Sequence, residues 1–577
     1  MRLEAKKGGH VLRDIRHGGH ILADASPRAA ELAATREGVT AASPEVAEVE
    51  FSTPFGYLFD GIKNDPAAHL PAGNPAAVVA GLGALGDAMV DEEVAPGGPG
   101  ETPAGNSTIP PVYTYWGQFI DHDLTANTDR AADVGDVADP NLRPLAPAYV
   151  ERNLRNLRLP ALNLDSVYGD GPTLDRHRPT EAADLYDGVK LLVGEVAEES
   201  KNPARPIRGV RIPPEGDLRR DLPRDPDGKA RIADGRNDEN LIVAQLHTAF
   251  LRFHNAVVDR LLDASPHLRH DRAKLFRKAR RLTRWHYQWL VVHDYLRNVT
   301  LPGVVEKVAL AGPRHYRPRD GELYMPLEFS VAAYRFGHSM VRAAYDHNRN
   351  FGRGVGGIPP QVPTSPFNLL FLFTGKSNPP FGGDTDTLPF NWVIEWDRFV
   401  DHGSEHADRF ARRIDTRLAF PLGELANEGN SPANAPPVNE LLKHLARRNL
   451  LRGYLLSLPT GQAAARAMGV RPLGAEDLKK GNSDALNAVL ADNGFVERTP
   501  LWYYLLKEAE VRANGTSLGE LGSRIVCETI VGLLRHDEGS YLNEDDGWDP
   551  SRSAVKLPGG DPIVTIGDFL RFAGVMA

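Results

Sequence analysis

Cysteine is nearly missing from this sequence. Its 577 residues hold one, Cys527, so an intramolecular disulfide is impossible, which suits a reducing compartment. Met1 to Ala25 carries basic side chains but lacks the apolar stretch of a signal peptide. The expected location is therefore the cytoplasm, or the exterior by a route without a recognisable signal. No apolar run reaches the roughly 18 residues that a membrane-spanning helix requires, so no such segment is expected. Basic charge is not in excess either. The 67 Lys and Arg against 76 Asp and Glu leave a formal net charge of -9, which argues against nucleic acid as a partner.

What is there is ordinary in composition, 41% hydrophobic and 25% charged, and long enough for a large core. Residues 1–50 read as a flexible N-terminal extension. Gly8-Gly9-His10 is loosely repeated there as Gly18-Gly19-His20, a surface arm rather than a metal-binding tail. Residues 51–577 read as one domain. The Pro/Gly-rich stretches Asp91 to Pro111, Lys201 to Lys229 and Val355 to Asn391 read as long loops, and Phe51 to Ile62 as irregular.

The densest chemistry lies in Tyr113-Thr114-Tyr115-Trp116-Gly117-Gln118-Phe119-Ile120-Asp121-His122-Asp123-Leu124-Thr125. In a helix, Gln118, Asp121 and His122 share a face, being three and four apart, and Asp123 is turned about 100° from His122. One short helix thus presents an acid/base group on one side and a separate carboxylate on another. Leu246, Phe250, Phe253, Val257 and Leu261 recur at helical spacing, so a long helix starts soon after Arg236, with Asn237 or Asp238 as its cap. Arg236 and Glu239 stand at its entrance, where on their own they would be a helix-terminus ion pair. Asp271 to Val299 reads as another long helix. In Tyr334-Arg335-Phe336-Gly337-His338, Gly337 removes bulk beside the histidine, and Arg335 lies on the face of His338. Asn163 and Asp165, alternate residues before Val167-Tyr168-Gly169, offer oxygens of the kind a hard cation takes, or simply build an Asx-rich turn. Leu518 to Tyr541 reads as a last amphipathic helix whose Cys527, set among Ile525, Val526 and Ile530, is inert rather than nucleophilic.

These pieces, in this order, resemble the animal-type haem peroxidases, the superfamily of myeloperoxidase, lactoperoxidase and peroxidasin. Gly117 to Asp123 is similar to that family's distal-haem segment at every fixed position. Arg236 and Glu239 are similar to its catalytic Arg and haem-linked Glu, and Tyr334 to His338 to its proximal segment. Asn449-Leu450-Leu451-Arg452, followed by Leu458-Pro459, is similar to its Asn-x-x-Arg element. The resemblance covers about residues 105 to 577. It implies a mainly α fold, a helical haem-peroxidase core with long Gly/Pro-rich loops and few short strands.

The same resemblance implies haem b, with His338 as the axial ligand of iron, Asn449 accepting its N–H, and Arg335 at a haem propionate. It implies ester links to haem through Asp121 and Glu239. Asn240 stands where myeloperoxidase has the methionine of a further link, so two links are the most implied. It implies Ca2+ on Asp123, Asn163 and Asp165, although Leu159 and Asn163 depart from the residues common at those places. The implied activity is reduction of hydrogen peroxide, with His122 as general base and then acid, Arg236 stabilising charge and Gln118 orienting water or a small anion. The ferryl haem so formed would oxidise halide, thiocyanate or small organic donors. The Ala/Arg/Gly-rich composition points to a bacterial member.

Two other readings remain open. A fatty-acid dioxygenase of the cyclooxygenase type places its radical tyrosine three residues before the proximal histidine, where this chain has Arg335; Tyr334 is one residue further away. A non-catalytic, calcium-stabilised helical scaffold would have no use for His122, Arg236 and His338 together.

Overall fold

The computed structural model describes residues 52–92, 105–126, 137–197, 217–318, 321–352, 365–377, 387–400, 409–432, 434–544 and 547–577. The 1–50 extension and parts of the three expected loops lie outside the described residues. About half of the chain is helical and the strands are few and short, as expected for a mainly α fold. Among the described residues, no helix is long and apolar enough to cross a membrane.

The centre is α2, Val112–Leu124, which follows α1, Pro75–Ala88. Pro110-Pro111 end the preceding chain, and Thr125, in extended backbone, stops α2. Every residue of α2 except Gln118 is buried, so it is a helix enclosed on all sides rather than a surface helix with one apolar stripe. Two long helices cover it: α3, Leu241–Ala264, and α4, Arg272–Leu290. The contact between α2 and α3 is an aromatic stack. Phe119 lies on Phe250 with ring centroids 4.2 Å apart and an interplanar angle of 1°. Trp116 meets Phe250 and Phe569 at 5.3 Å each, and Phe253 lies on Phe569 at 4.3 Å. The chain's last helix thereby closes over its first catalytic candidate.

The cap of α3 differs from expectation. Asn240, not Asn237 or Asp238, accepts the N–H of Val243 and starts the helix; Gly235–Asp238 form a 3-10 turn before it. The reason is competition, since the side chains of Asn237 and Asp238 are engaged elsewhere, with His122 and Arg224 respectively. The expected single helix from Asp271 to Val299 is interrupted. After α4 comes a π turn, Val291–Tyr295, and then a short α segment, Leu296–Val299. Such bulges shift the register of side chains and concentrate near functional positions; here the turn delivers Tyr295. The hydroxyl of Tyr295 lies so close to Gly117 that a Cβ there would be 2.6 Å from it.

The histidine segment is not a regular helix either. Glu328–Ala332 form a π turn and Ala333–His338 a 3-10 turn. Residues three apart eclipse one another in a 3-10 turn, so Arg335 and His338 still share a side. Phe51 to Ile62, expected to be irregular, contains strand β1, Thr53–Gly56. It pairs antiparallel with β2, Arg155–Asn156, and parallel with β3, Met325–Pro326. Glu328 pins this sheet to the histidine segment by accepting the N–H groups of Leu58 and Phe59 at 2.8 and 3.2 Å. The expected C-terminal helix spans Glu520–His536. Cys527 inside it is fully buried, and burial pushes its thiol pKa up to about 12, in keeping with an inert residue.

Removing the ring at the centre of the aromatic stack isolates its worth. Phe119→Ala is expected to cost about 3–5 kcal/mol through lost burial and an unfilled cavity, read as a lowered denaturant midpoint with an unchanged slope.

Candidate active site

One cavity gathers most of the motif residues. Gly117, Gln118, Asp121, Glu239, Asn240, Arg335, Gly337 and His338 all line it. Gln118 Nε2 donates to Glu239 Oε1, and Gln118 Oε1 accepts from Asn240 Nδ2 at 3.1 Å. Asp121 accepts the hydroxyl of Thr125 at 3.1 Å and faces Arg335 Nη1 at 3.5 Å. Burial raises the Glu239 pKa to about 8, so its carboxyl is mostly protonated at neutral pH.

His122 sits fully buried beside Glu239, with Nε2 3.7 Å from Oε1. Burial, reinforced by the cation of Arg236, lowers the His122 pKa to about 4. Both groups are therefore neutral at pH 7, and the contact is not an ion pair. Asn237 sets the form of the imidazole. Its Oδ1 lies 2.8 Å from His122 Nδ1 and its Nδ2 lies 2.9 Å from His247 Nδ1. An amide oxygen only accepts, so Nδ1 of His122 carries the proton and Nε2 keeps its lone pair.

Arg236 faces the protein rather than the cavity. Its guanidinium grips Asp234, donates to the carbonyl of Thr125 at 2.7 Å, and donates to the carbonyl of His122 at 2.8 Å. Arg158 shares the same Asp234 at 2.5 Å. These two guanidinium groups hold the Asp234 carboxyl far below the usual carboxylate range despite its burial. Sequence reasoning passed over Asp234, Arg158 and the bridging role of Asn237. The only signal was a carboxylate two residues before Arg236, which is weak by itself.

On the other element, His338 lies 2.9 Å through Nδ1 from the Asn449 side-chain amide. The Asn449 nitrogen Nδ2 faces the ring; with the amide oxygen in its place, Nδ1–H would donate and Nε2 would be left free. Burial, then the cations of Arg335 and Arg448, push the His338 pKa well below the ordinary value, so the ring is neutral. Arg335 Nε donates to the carbonyl of Ser330 at 2.8 Å, which fixes the guanidinium at the cavity wall.

Asp123 turns away from this cavity, as its place on the helix requires. It accepts the N–H of Leu164 at 3.1 Å, the N–H of Ser166 at 3.4 Å and the hydroxyl of Ser166 at 3.2 Å. Asn163 Nδ2 donates to Asp165 at 2.8 Å, and Arg280 reaches Asp165 at 3.2 Å. Burial, with the nearby Asp165 carboxylate, raises the Asp123 pKa to about 6. Among the described residues, no group of three or more His, Cys, Asp or Glu side chains is arranged to hold a metal ion.

Comparison with known proteins bears on these elements. Residues 207–362, which include Arg236, Glu239 and His338, match the family model of the animal haem peroxidases. The chain is 28% identical over 286 residues to a peroxidase-like protein of Margaritifera margaritifera, an alignment covering 43% of this chain and 33% of that protein. It is 25% identical over 274 residues to the peroxidasin homolog pxn-2 of Caenorhabditis elegans, covering 39% of this chain and 20% of that one. The chain thus spans a third or less of the length of these curated relatives. In fold it is similar to peroxidase A from Dictyostelium discoideum, with a TM-score of 0.54, 16% identity, and coverage of 92% of this chain and 95% of the other. It is also similar to the fatty acid alpha-dioxygenase of Oryza sativa, with a TM-score of 0.50, 16% identity, and coverage of 84% and 74%. The chain thus matches the animal haem peroxidase family model over residues 207–362 and shares the fold of peroxidase A over most of its length.

The Asn237 bridge can be tested without any cofactor. Asn237→Leu is expected to lower stability by about 1–3 kcal/mol, because two buried imidazole nitrogens lose their partner. In 15N-labelled protein the His122 ring signals should change from a single Nδ1–H form to a mixture; a single unchanged form would show that something else fixes the ring.

Proposed function

We propose that this chain is a haem peroxidase that reduces hydrogen peroxide and oxidises a halide, thiocyanate or a small organic donor. The observation that carries the reading is that Gln118, Asp121 and Glu239, with His122 behind them, border the same cavity as His338. The residues fit a haem. A Cβ on Gly337 would meet nothing within 4 Å, which leaves open space directly beside His338. His338 is neutral, as an iron ligand must be, and its Nδ1 has a partner that orients the ring. When bound, the haem supplies the redox chemistry of its iron.

The chain's own residues would do the rest. His338 holds the iron and Asn449 orients His338. Arg335 lies where a propionate carboxylate would be paired. Asp121 and Glu239 are the carboxyls on the cavity wall that would anchor the macrocycle as esters. Nε2 of His122, which keeps a lone pair because Nδ1 holds the proton, takes a proton from peroxide and returns it to the departing oxygen. Arg236 acts through His122, since its cation disfavours the imidazolium and its grip on the His122 carbonyl holds the backbone in place. Gln118, hydrogen-bonded on both sides of its amide, orients water or a small anion next to these groups.

Calcium on Asp123, Asn163 and Asp165 is supported by two buried carboxylates lying close enough to raise one pKa. It is opposed by occupied donors: the oxygens of all three already face N–H or O–H groups, and Arg280 brings a cation to Asp165. A calcium ion takes about six to eight oxygen ligands, so the residues as arranged do not fit one, and no step is routed through it. Excess chelator is expected to leave Tm unchanged; a fall on chelation that calcium reverses would return the ion to Asp123.

A second reading, fatty-acid dioxygenase, is favoured by one observation. Tyr334 lines the same cavity, its ring stacked on Phe329 at 4.5 Å. Protein produced with haem supplied tests both readings. A Soret band lost in His338→Ala, with peroxide-dependent oxidation of halide or a phenol, supports the peroxidase. Oxygen uptake with a fatty acid in the absence of peroxide supports the dioxygenase, and the lack of any Soret band sinks both.

The pH profile tests His122. The imidazole must be neutral to accept a proton, so kcat/KM should fall as pH drops through about 4, the lowered pKa of His122. Arg236→Gln removes the cation that disfavours protonation, so the acid limb should move to higher pH. A limb that stays in place in that variant would separate Arg236 from His122.

A further inference from the structure

Arg448 is a charged group that the proposed chemistry leaves without a task. It lies on the helix Leu445–Leu455, one residue before Asn449, and lines the cavity. Its guanidinium, unlike those of Arg236 and Arg335, has no hydrogen bond or ion pair among the described residues. The carboxylate that stabilises it most, Glu428, acts at a distance and is bound at 2.6 Å to Lys376. Burial, then the neighbouring cations Arg452 and Arg335, press its pKa down, and Arg335 and Arg448 together disfavour protonated His338. The guanidinium groups of Arg335 and Arg448 therefore both line a mostly apolar cavity, with Arg452 close to Arg448. Around them stand Met340, Val341, Phe367, Leu422 and Leu425. A half-buried guanidinium without a partner loses hydration without full compensation, and its planar fork fits a carboxylate through two parallel hydrogen bonds.

We infer that Arg448 is a carboxylate-binding residue of this cavity, additional to Arg335. The carboxylate comes from one of two sources. It is a propionate at the edge of the haem, or it belongs to an anionic donor whose apolar body lies on Phe367 and Leu425. The inference rests on the haem reading above, and the two sources separate by experiment.

R448Q keeps most of the side chain's length and removes the charge. Haem and haem dimethyl ester, whose propionates are neutral, are titrated into apoprotein of wild type and R448Q. If Arg448 holds a propionate, the Kd for haem rises about ten- to hundredfold in R448Q, as expected for a lost charge-assisted hydrogen bond, while the Kd for the diester barely changes. If Arg448 holds a donor, haem binding is unchanged. The KM for p-hydroxyphenylacetate then rises by a similar factor at constant kcat, and the KM for its methyl ester does not. A folded R448Q that matches wild type in both comparisons overturns the inference. Should R448Q not fold, R448K carries the same test, because a point charge lacks the fork: it should lose several-fold affinity for the acid and none for the ester, and no loss overturns the inference. Wild type that takes up no haem overturns the peroxidase reading as well, whereas wild type that binds haem with R448Q indistinguishable from it overturns this inference alone.

Discussion

The site depends on one buried carboxylate. Asp234 is fully enclosed, and two guanidinium groups, from Arg236 and Arg158, converge on it. Taking such charges out of water is expensive, and the cluster is tolerable only because its opposite charges pair. Arg236 uses its remaining donors on the carbonyls of His122 and Thr125, at the end of α2. The cluster therefore ties the last turn of the central helix to the entrance of α3. Breaking it would leave a buried charge uncompensated, so the geometry of His122 is held by residues more than a hundred positions away in sequence.

Around this anchor, neutrality is arranged residue by residue. His122, His247 and His338 are all depressed by burial, and Glu239 is raised by it. A histidine that must accept a proton, or donate a lone pair to a metal, is useful only when unprotonated near neutral pH. The same burial that makes the aromatic stack cohesive thus supplies the protonation states. Permanent charge is kept for arginine, which burial cannot neutralise. Arg236 is compensated by Asp234, and Arg335 faces Asp121 at 3.5 Å. Cations and carboxyls are interleaved around the cavity, Arg335 with Asp121 and Lys376 with Glu428.

How much of this could be read in the sequence follows from the range of each interaction. Gln118, Asp121 and His122 fall within one helical turn, so their shared face was legible from spacing alone. Arg236 with Glu239, and Arg335 with His338, are likewise local pairs. Asn449 reaches His338 across 111 positions in sequence, and only its Asn-x-x-Arg context made it a candidate. Asp234 and Asn237 were illegible in their roles because their partners come from another element. Propensity alone makes Asn237 a helix cap, but a bridge between two imidazoles outcompetes that local bond, and Asn240 caps the helix instead. The π turn at Val291–Tyr295 was equally hidden, since its residues carry the same apolar periodicity as the helix they interrupt.

The backbone around His338 also bears on the choice between the two oxidative chemistries. In a regular α-helix, residues three and four before His338 would both border its face. In the 3-10 turn observed, the residue three before eclipses it and the residue four before is carried round to the side. Arg335 therefore takes the position facing Asp121, and Tyr334 is turned into the aromatic wall against Phe329. The Tyr334 phenol is fully enclosed, and burial raises its pKa well above the ordinary value. Loss of its hydrogen atom would need a base within reach, because a phenol oxidised without giving up its proton becomes a buried cation. The nearest ionisable neighbour that shares its surroundings is another phenol, Tyr295, which burial has likewise raised. The cavity is thus better furnished for handling a proton at His122 than for drawing one from Tyr334, and this asymmetry is the physical ground for preferring a peroxidase to a fatty-acid dioxygenase.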